Sequence, residues 1–406
     1  MPWLSRTARR NRLGALGAAA AIAVLATACS SASSAGSPAG TPGSASTTGD
    51  TGSTSSNAIS IPVIGDFTGA DAFFGTGQIE GMQPALQALN KAGGIDGRPV
   101  KLDECDTQST VSGAAQCASK FAGDPIVLAL SVIANIKAAE PSLTSSLFLA
   151  STNLLNPPRS SNAFQVAPAG AAVDATVDQV AQASHFSSVG IIATDDAVGE
   201  SQLGFIKAAA GSLNINVQFV SPTAVDDTVA MEKLVSSNVP VIYAAALGTA
   251  GTAVIKAYNE LKPKMPLVVA GADGSYGFLK GISSFEPATN FYIIPGTPLV
   301  AGDVTNQSTA AMAAYVKTMQ ASIGHQPDTI DVSGAYAIDV LIGLLKGAGL
   351  NSTLAAKEAW LHQATISSLT NVSFGNPSLN VLTNVPPGFD RVNGTTFTAV
   401  SPNLSS

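Results

Sequence analysis

Short apolar runs alternate along this chain with longer stretches in which apolar residues recur every three to four positions. The runs at 59–67, 100–105, 126–130, 147–150, 189–194, 217–220, 239–244 and 267–270 predict strands. The stretches between them predict helices. In the first of these, Ile79, Met82, Leu86 and Leu89 fall on one face, and Pro84 predicts a kink or a break. Those that are fully apolar, such as 126–130 and 267–270, predict parallel sheets covered on both faces by helices. The strands fall into two sets of four. Residues 164–168 lie where the chain would cross from one set to the other, and 291–295 where it would return. Two further helices are predicted at 306–323 and 331–347, then one at 354–365. A final extended piece at 391–400 carries a turn signal at Asn393-Gly394. The fold class is therefore α/β: two Rossmann-like lobes with parallel sheets, joined by a hinge of three crossings. The first lobe takes 58–166 and 297–349, the second 167–296 and 350–406. Ligands of such sheets sit at the carboxyl ends of the strands, which here means the cleft between the lobes.

The first 57 residues follow another pattern. A basic stretch at 5–12 precedes an apolar run at 13–27 and the small residues before Cys29. That order defines a secretory signal, 1–28, and the apolar run is short for a membrane span. A cysteine directly after small residues resembles the bacterial lipobox, whose cysteine takes a diacylglycerol and becomes the new N-terminus. The chain departs from that motif in having Ala26 where leucine is preferred. Residues 29–57 are rich in Ser, Gly and Thr and read as a flexible tether. The expected location is extracytoplasmic, lipid-anchored to the cell membrane through Cys29.

Composition narrows the function. The 406 residues carry 20 Lys+Arg against 27 Asp+Glu. Arg6, Arg9, Arg10 and Arg12 all precede Cys29, so 16 basic residues then face 27 acidic ones. That balance argues against a nucleic-acid partner. Three histidines, at 185, 325 and 362, have no metal-ligand spacing, and there is no nucleophile elbow or phosphate loop. Neither a cofactor nor a metal is expected. The run Gly75-Thr76-Gly77 with Gly81 opens a predicted helix, but its spacing does not fit a dinucleotide fingerprint. It reads instead as a helix start offering N–H groups to a ligand carboxylate. Cys105 and Cys117 remain once Cys29 is assigned to lipid. Outside the cytoplasm such a pair reads as a disulfide, with a reactive thiol pair as the alternative.

Several runs are more specific. They are IPVIGDFTGA at 61–70, Phe74-Gly75, Glu80-Gly81-Met82, NKAGGIDGRPV at 90–100, DECDTQ at 103–108, TDDAVGE at 194–200 and SGAYA at 333–337. Together they resemble the leucine/isoleucine/valine-binding protein family, the type I periplasmic solute-binding proteins of ABC importers. The likeness covers roughly 59–350. It implies capture of a small solute between two lobes that close like a hinge, without chemistry. Residue by residue, it implies ligand contacts at Phe74 (an aromatic packed on the solute), Ser131 and Ile133, Ser151, Thr152 and Asn153 in the first lobe. In the second lobe it implies Val198, where the family has tyrosine, Gly248, Asp273 as the acid that meets an ammonium group, and Tyr276. Val132 and Ile133 replace the hydroxyl residues usual in the loop after the third strand, which weakens an amino-acid carboxylate there. Each position also has a plain structural reading. Asp273 would be a turn former before Gly274, Phe74 core, and Ser151 with Thr152 a helix cap.

The expectation is an extracytoplasmic solute-binding lipoprotein, monomeric, handing a small amino-acid-like solute to an ABC permease. A binder of a small apolar or aromatic carboxylic acid is the rival within the same fold. A sensor feeding a membrane kinase would use the same closure. An envelope-anchored hydrolase would need a nucleophile and base that the predicted cleft loops do not supply.

Overall fold

A computed structural model of the chain describes residues 57–69, 71–151, 162–168, 170–303, 306–375 and 380–405. The signal, Cys29 and nearly all of the tether lie outside these residues, as do Thr152 and Asn153. No helix among the described residues is long and apolar enough to cross a membrane.

The first sheet is built from β1 (Ile59–Gly65), β2 (Val100–Asp106), β3 (Ile126–Leu130), β4 (Leu147–Ala150) and β5 (Ala163–Pro168). Helices α1 (Ala72–Lys91), α2 (Val111–Lys120) and α3 (Ile133–Ala139) connect them. The second sheet follows with α4 (Gly170–Ala183), β6 (Ser188–Thr194), α5 (Ala197–Ala209), β7 (Asn214–Val220), α6 (Thr228–Ser236), β8 (Ile242–Ala245), α7 (Gly248–Leu261), β9 (Leu267–Ala270), α8 (Tyr276–Ile282) and β10 (Phe291–Ile294). The chain then forms α9 (Asn306–Ile323), α10 (Thr329–Gly347), α11 (Leu354–Gln363) and the small hairpin β11 (Thr365–Ser367) and β12 (Asn371–Ser373). It ends with β13 (Val381–Leu382), β14 (Asp390–Asn393) and β15 (Thr396–Ala399).

The strand orders are β13-β5-β4-β3-β1-β2 and β15-β14-β10-β9-β8-β6-β7. All pairs are parallel except those that β14 makes with β10 and β15. Every residue of β3, β4, β8 and β9 is buried. Helices cover such strands on both faces, and each buried Leu, Ile or Val contributes about 1.5–3 kcal/mol.

Three expectations need correction. Residues 164–168 are not a bare crossing; they form β5, hydrogen-bonded to β4 and β13. Gln165 hid this strand, because a polar residue sits at a fully buried position. The chain from 354 to 382 returns to the first sheet rather than joining the second lobe. Gln165 N–H donates to Asn380 O at 2.8 Å, and Asn380 Nδ2 donates to Ala163 O at 3.1 Å. Only from β14 onward does the tail join the second sheet, where Leu404 N–H donates to Ser184 Oγ at 2.8 Å. Helix α1 also runs through Pro84 without a break. The carbonyl that Pro84 leaves unbonded belongs to exposed Glu80, where water can satisfy it.

Candidate functional site

In each sheet one strand sits where the order of connections reverses. In the first, β1 lies between β2 and β3; in the second, β6 lies between β7 and β8. Crevices at such points, outside the carboxyl ends of the strands, are where open α/β sheets bind ligands.

At the first of these points the chain leaves β1 through Asp66, which is fully buried. Its Oδ2 accepts from Ser131 Oγ at 2.7 Å and from Val132 N–H at 2.9 Å. Its Oδ1 accepts from Asn135 Nδ2 at 2.9 Å and from the Thr107 hydroxyl. The donors come from the ends of β2 and β3 and the first turn of α3. One carboxylate thus ties three segments together. Beside it, the Asp106 carboxylate accepts from Thr68 Oγ1 at 2.6 Å, from Phe67 and Thr68 N–H at 3.1 Å each, and from Gln108 N–H at 2.9 Å. Burial pushes Asp106 up, but these bonds together outweigh it and hold the group below its ordinary value. Cys105, at the end of β2, is joined by a disulfide to Cys117 on α2, with 5.7 Å between the Cα atoms.

The helix start over this crevice is not a free anion site. Asp71 N–H donates to Ser109 Oγ, Ala72 N–H to Gly69 O and Phe74 N–H to Asp71 O. The glycines serve packing instead. A Cβ at Gly75 would meet Asp66 O at 2.4 Å, and one at Gly81 would meet Asp331 O at 1.8 Å. Phe74 is half-buried, its ring 4.6 Å from the ring of exposed Phe73. Ile133 is half-buried at the start of α3. Ser151, after β4, donates to Ala129 O at 3.0 Å and to Gln78 Oε1 on α1.

In the second lobe Asp273 lies in a 3-10 turn, Gly271–Gly274, directly after β9. It is 2 % exposed. Its Oδ1 accepts from Gly248 N–H at 3.3 Å, at the head of α7, where φ is +59°. Its Oδ2 has no hydrogen-bond partner. A Cβ at Gly251 would fall 2.6 Å from that oxygen, so glycine is what lets the carboxyl lie against α7. Burial pushes Asp273 well above the usual carboxylate range, and the Gly248 bond offsets this only in part. At the β6 end, Asp196 Oδ1 accepts from Thr194 Oγ1 at 2.8 Å and from Gly199 N–H at 2.9 Å. Val198 lies in the first turn of α5.

Tyr276 joins the second lobe to the first. Its N–H donates to Asp328 Oδ2 at 2.7 Å, and its ring stacks on His325, 4.0 Å between centroids and 7° from parallel. Asp328 caps α10 in a capping box with Asp331. Burial first, and then the charge of Asp328, push Asp331 up to about 9. Helix α10 in turn packs on α1, where a Cβ at Gly334 would sit 2.1 Å from Gln78 O.

The structure thus brings Gly248 and Asp273 together and places Tyr276 three residues on. It places Ser131 and Ser151 at strand ends with their hydroxyls already bonded inside the protein. Asp66 had no candidate role in the sequence. Its signal was an aspartate near the end of the predicted strand 59–67, in an otherwise largely apolar run.

Two parallel α/β lobes, linked by crossings and carrying polar groups at their strand ends, define a two-lobed solute-binding protein. The chain belongs to the periplasmic binding protein family, whose profile matches residues 58–394. This is a family of solute-binding proteins, not of enzymes. Solved structures with the same fold include the branched-chain amino acid transporter substrate-binding protein LivJ from Streptococcus pneumoniae, in complex with isoleucine. It is 16% identical, with 84% of this chain and 98% of that one covered and a TM-score of 0.70. The leucine-binding protein LivK from Thermotoga maritima is 14% identical, with 85% and 98% covered and a TM-score of 0.71. A solute-binding protein of an ABC transporter from R. palustris, in complex with benzoate, is 16% identical, with 84% and 95% covered and a TM-score of 0.67. No curated protein matches the chain by sequence.

Proposed function

We propose that this chain is the extracytoplasmic receptor of an ABC importer, anchored by lipid at Cys29, and that it captures a small amino-acid-like solute by closure of its lobes. The observation that carries the solute class is Asp273, a buried carboxyl with one oxygen unpartnered. An ammonium group donates where this oxygen lacks a donor and supplies the charge that would ionise the acid. Thermal-shift screening with amino acids, amino-amides and aromatic acids tests the reading, since a ligand of the native state raises the melting midpoint. A shift with amino compounds that disappears in Asp273→Asn supports it. A shift only with acids lacking an amino group contradicts it.

That second outcome is the rival reading. It is favoured by half-buried Phe74 and Ile133 and by the benzoate held in the R. palustris relative of the same fold. For the anchor, Cys29→Ala should move the protein from the membrane fraction to the medium; retention at the membrane would contradict lipidation.

A further inference from the structure

We propose that Asp66 is a specificity-determining residue, an internal carboxylate that fills the anion-accepting crevice of the first lobe, so that the solute is a small amine or amino-amide without a free carboxylate. The inference rests on the reading of Asp273 as the amine-binding group and deepens it.

The placement comes from topology. Asp66 follows β1 and Ser131 follows β3, the two strands that flank the reversal in the first sheet. A backbone N–H, two hydroxyls and an amide converge there, a donor set suited to a carboxylate. All four already bond to Asp66, two on each oxygen. A solute carboxylate entering this crevice finds its donors taken and meets a like charge out of water, where repulsion is strong.

The neighbourhood does not reverse that sign. The Asp71 carboxyl is held above its usual value by burial and then by the charge of Asp66, and Asp106 lies on the same rim. No Lys or Arg among the described residues ion-pairs with Asp66, Asp71 or Asp106. Two half-buried apolar residues stand next in sequence to these groups: Phe74, one residue before the glycine pressed on Asp66, and Ile133, next to Val132. An amine with an apolar body suits both lobes, its nitrogen at Asp273 and its apolar part against the first lobe.

The test is calorimetric titration of the whole chain with isoleucinamide, isoleucine and benzoate. Isoleucinamide should bind at least about tenfold more tightly than isoleucine, as expected when a like-charge contact is avoided. Benzoate should not bind. In Asp66→Asn the preference should shrink. Formate should raise the melting midpoint of Asp66→Ala more than that of the wild type, by filling the vacated donors. Should either variant fail to fold, the wild-type comparison still decides. Isoleucine binding as tightly as isoleucinamide, with both lost in Asp273→Asn, would overturn the role of Asp66 and leave the amine site standing. Benzoate binding alone would overturn both. Silence with all three probes would overturn the inference.

Discussion

Two buried aspartates, one in each lobe, are held in opposite ways. Asp66 is fully buried and accepts four hydrogen bonds. Asp273 is just as buried and accepts one, at 3.3 Å, with its second oxygen unpartnered. The first is complete within the protein and holds β1, β2, β3 and α3 in register. The second is incomplete, and burial with a single donor pushes it well above the usual carboxylate range. A buried polar group that its own fold leaves unsatisfied is a place where a ligand supplies what is missing. The comparison separates a structural carboxylate from a binding one more sharply than burial alone.

The largest effect that would break this comparison is on stability. Asp66→Ala strands four donors and should cost about 4 kcal/mol or more in chemical denaturation, roughly 1 kcal/mol for each. Asp273→Asn removes no satisfied acceptor and should change stability by no more than about 1 kcal/mol. Equal losses would remove the distinction.

Next in size is the disulfide beside Thr107 and Asp106. Its loop spans 12 residues, and replacing both cysteines by serine should cost about 3 kcal/mol. Hydrogen exchange should rise around β2 and α2 and not around Asp273. A uniform rise would contradict this local assignment.

Asp328 links the lobes through Tyr276 N–H and caps α10. Asp328→Ala should cost about 1–2 kcal/mol, the usual range for a lost cap. It should also change the solution scattering profile as the lobes separate. An unchanged profile would show that this bond does not hold them together.

A further effect is a slope with pH. Burial pushes Asp331 and Asp390 up to about 9, and Asp339 and Asp227 to about 6. Above the unfolded carboxylate value the folded chain therefore holds more protons than the unfolded one. Stability is then lost as pH rises through the folded values. The melting midpoint of the ligand-free protein should fall steadily from pH 5 to pH 9, and a rise would contradict the sign.

Much of the fold was legible in the sequence. The runs at 126–130, 147–150 and 267–270 match β3, β4 and β9, because strands buried on both faces are apolar without interruption. β5 was read as a crossing because Gln165 and Pro168 break its apolar run. β13 has two residues and therefore no period to detect. That is why the path of 354–382 back to the first lobe was missed. The candidate site was legible where one short segment carries it, as at Asp273 and Tyr276. It was not legible at Asp66, whose four donors lie 41 to 69 residues away along the chain. Ser131, expected to face a ligand, donates its hydroxyl to that internal carboxylate.

The central claim is that the unpartnered oxygen of Asp273 receives the ammonium group of the solute. Proton release on binding tests it most directly, by titrating isoleucinamide at pH 6 in buffers of differing ionisation enthalpy. Burial holds the Asp273 carboxyl well above the usual carboxylate range, and an ammonium group beside it favours the carboxylate, so binding should release protons from the protein. In Asp273→Asn none should be released and affinity should collapse. Binding with no proton released, unchanged in Asp273→Asn, would contradict the account.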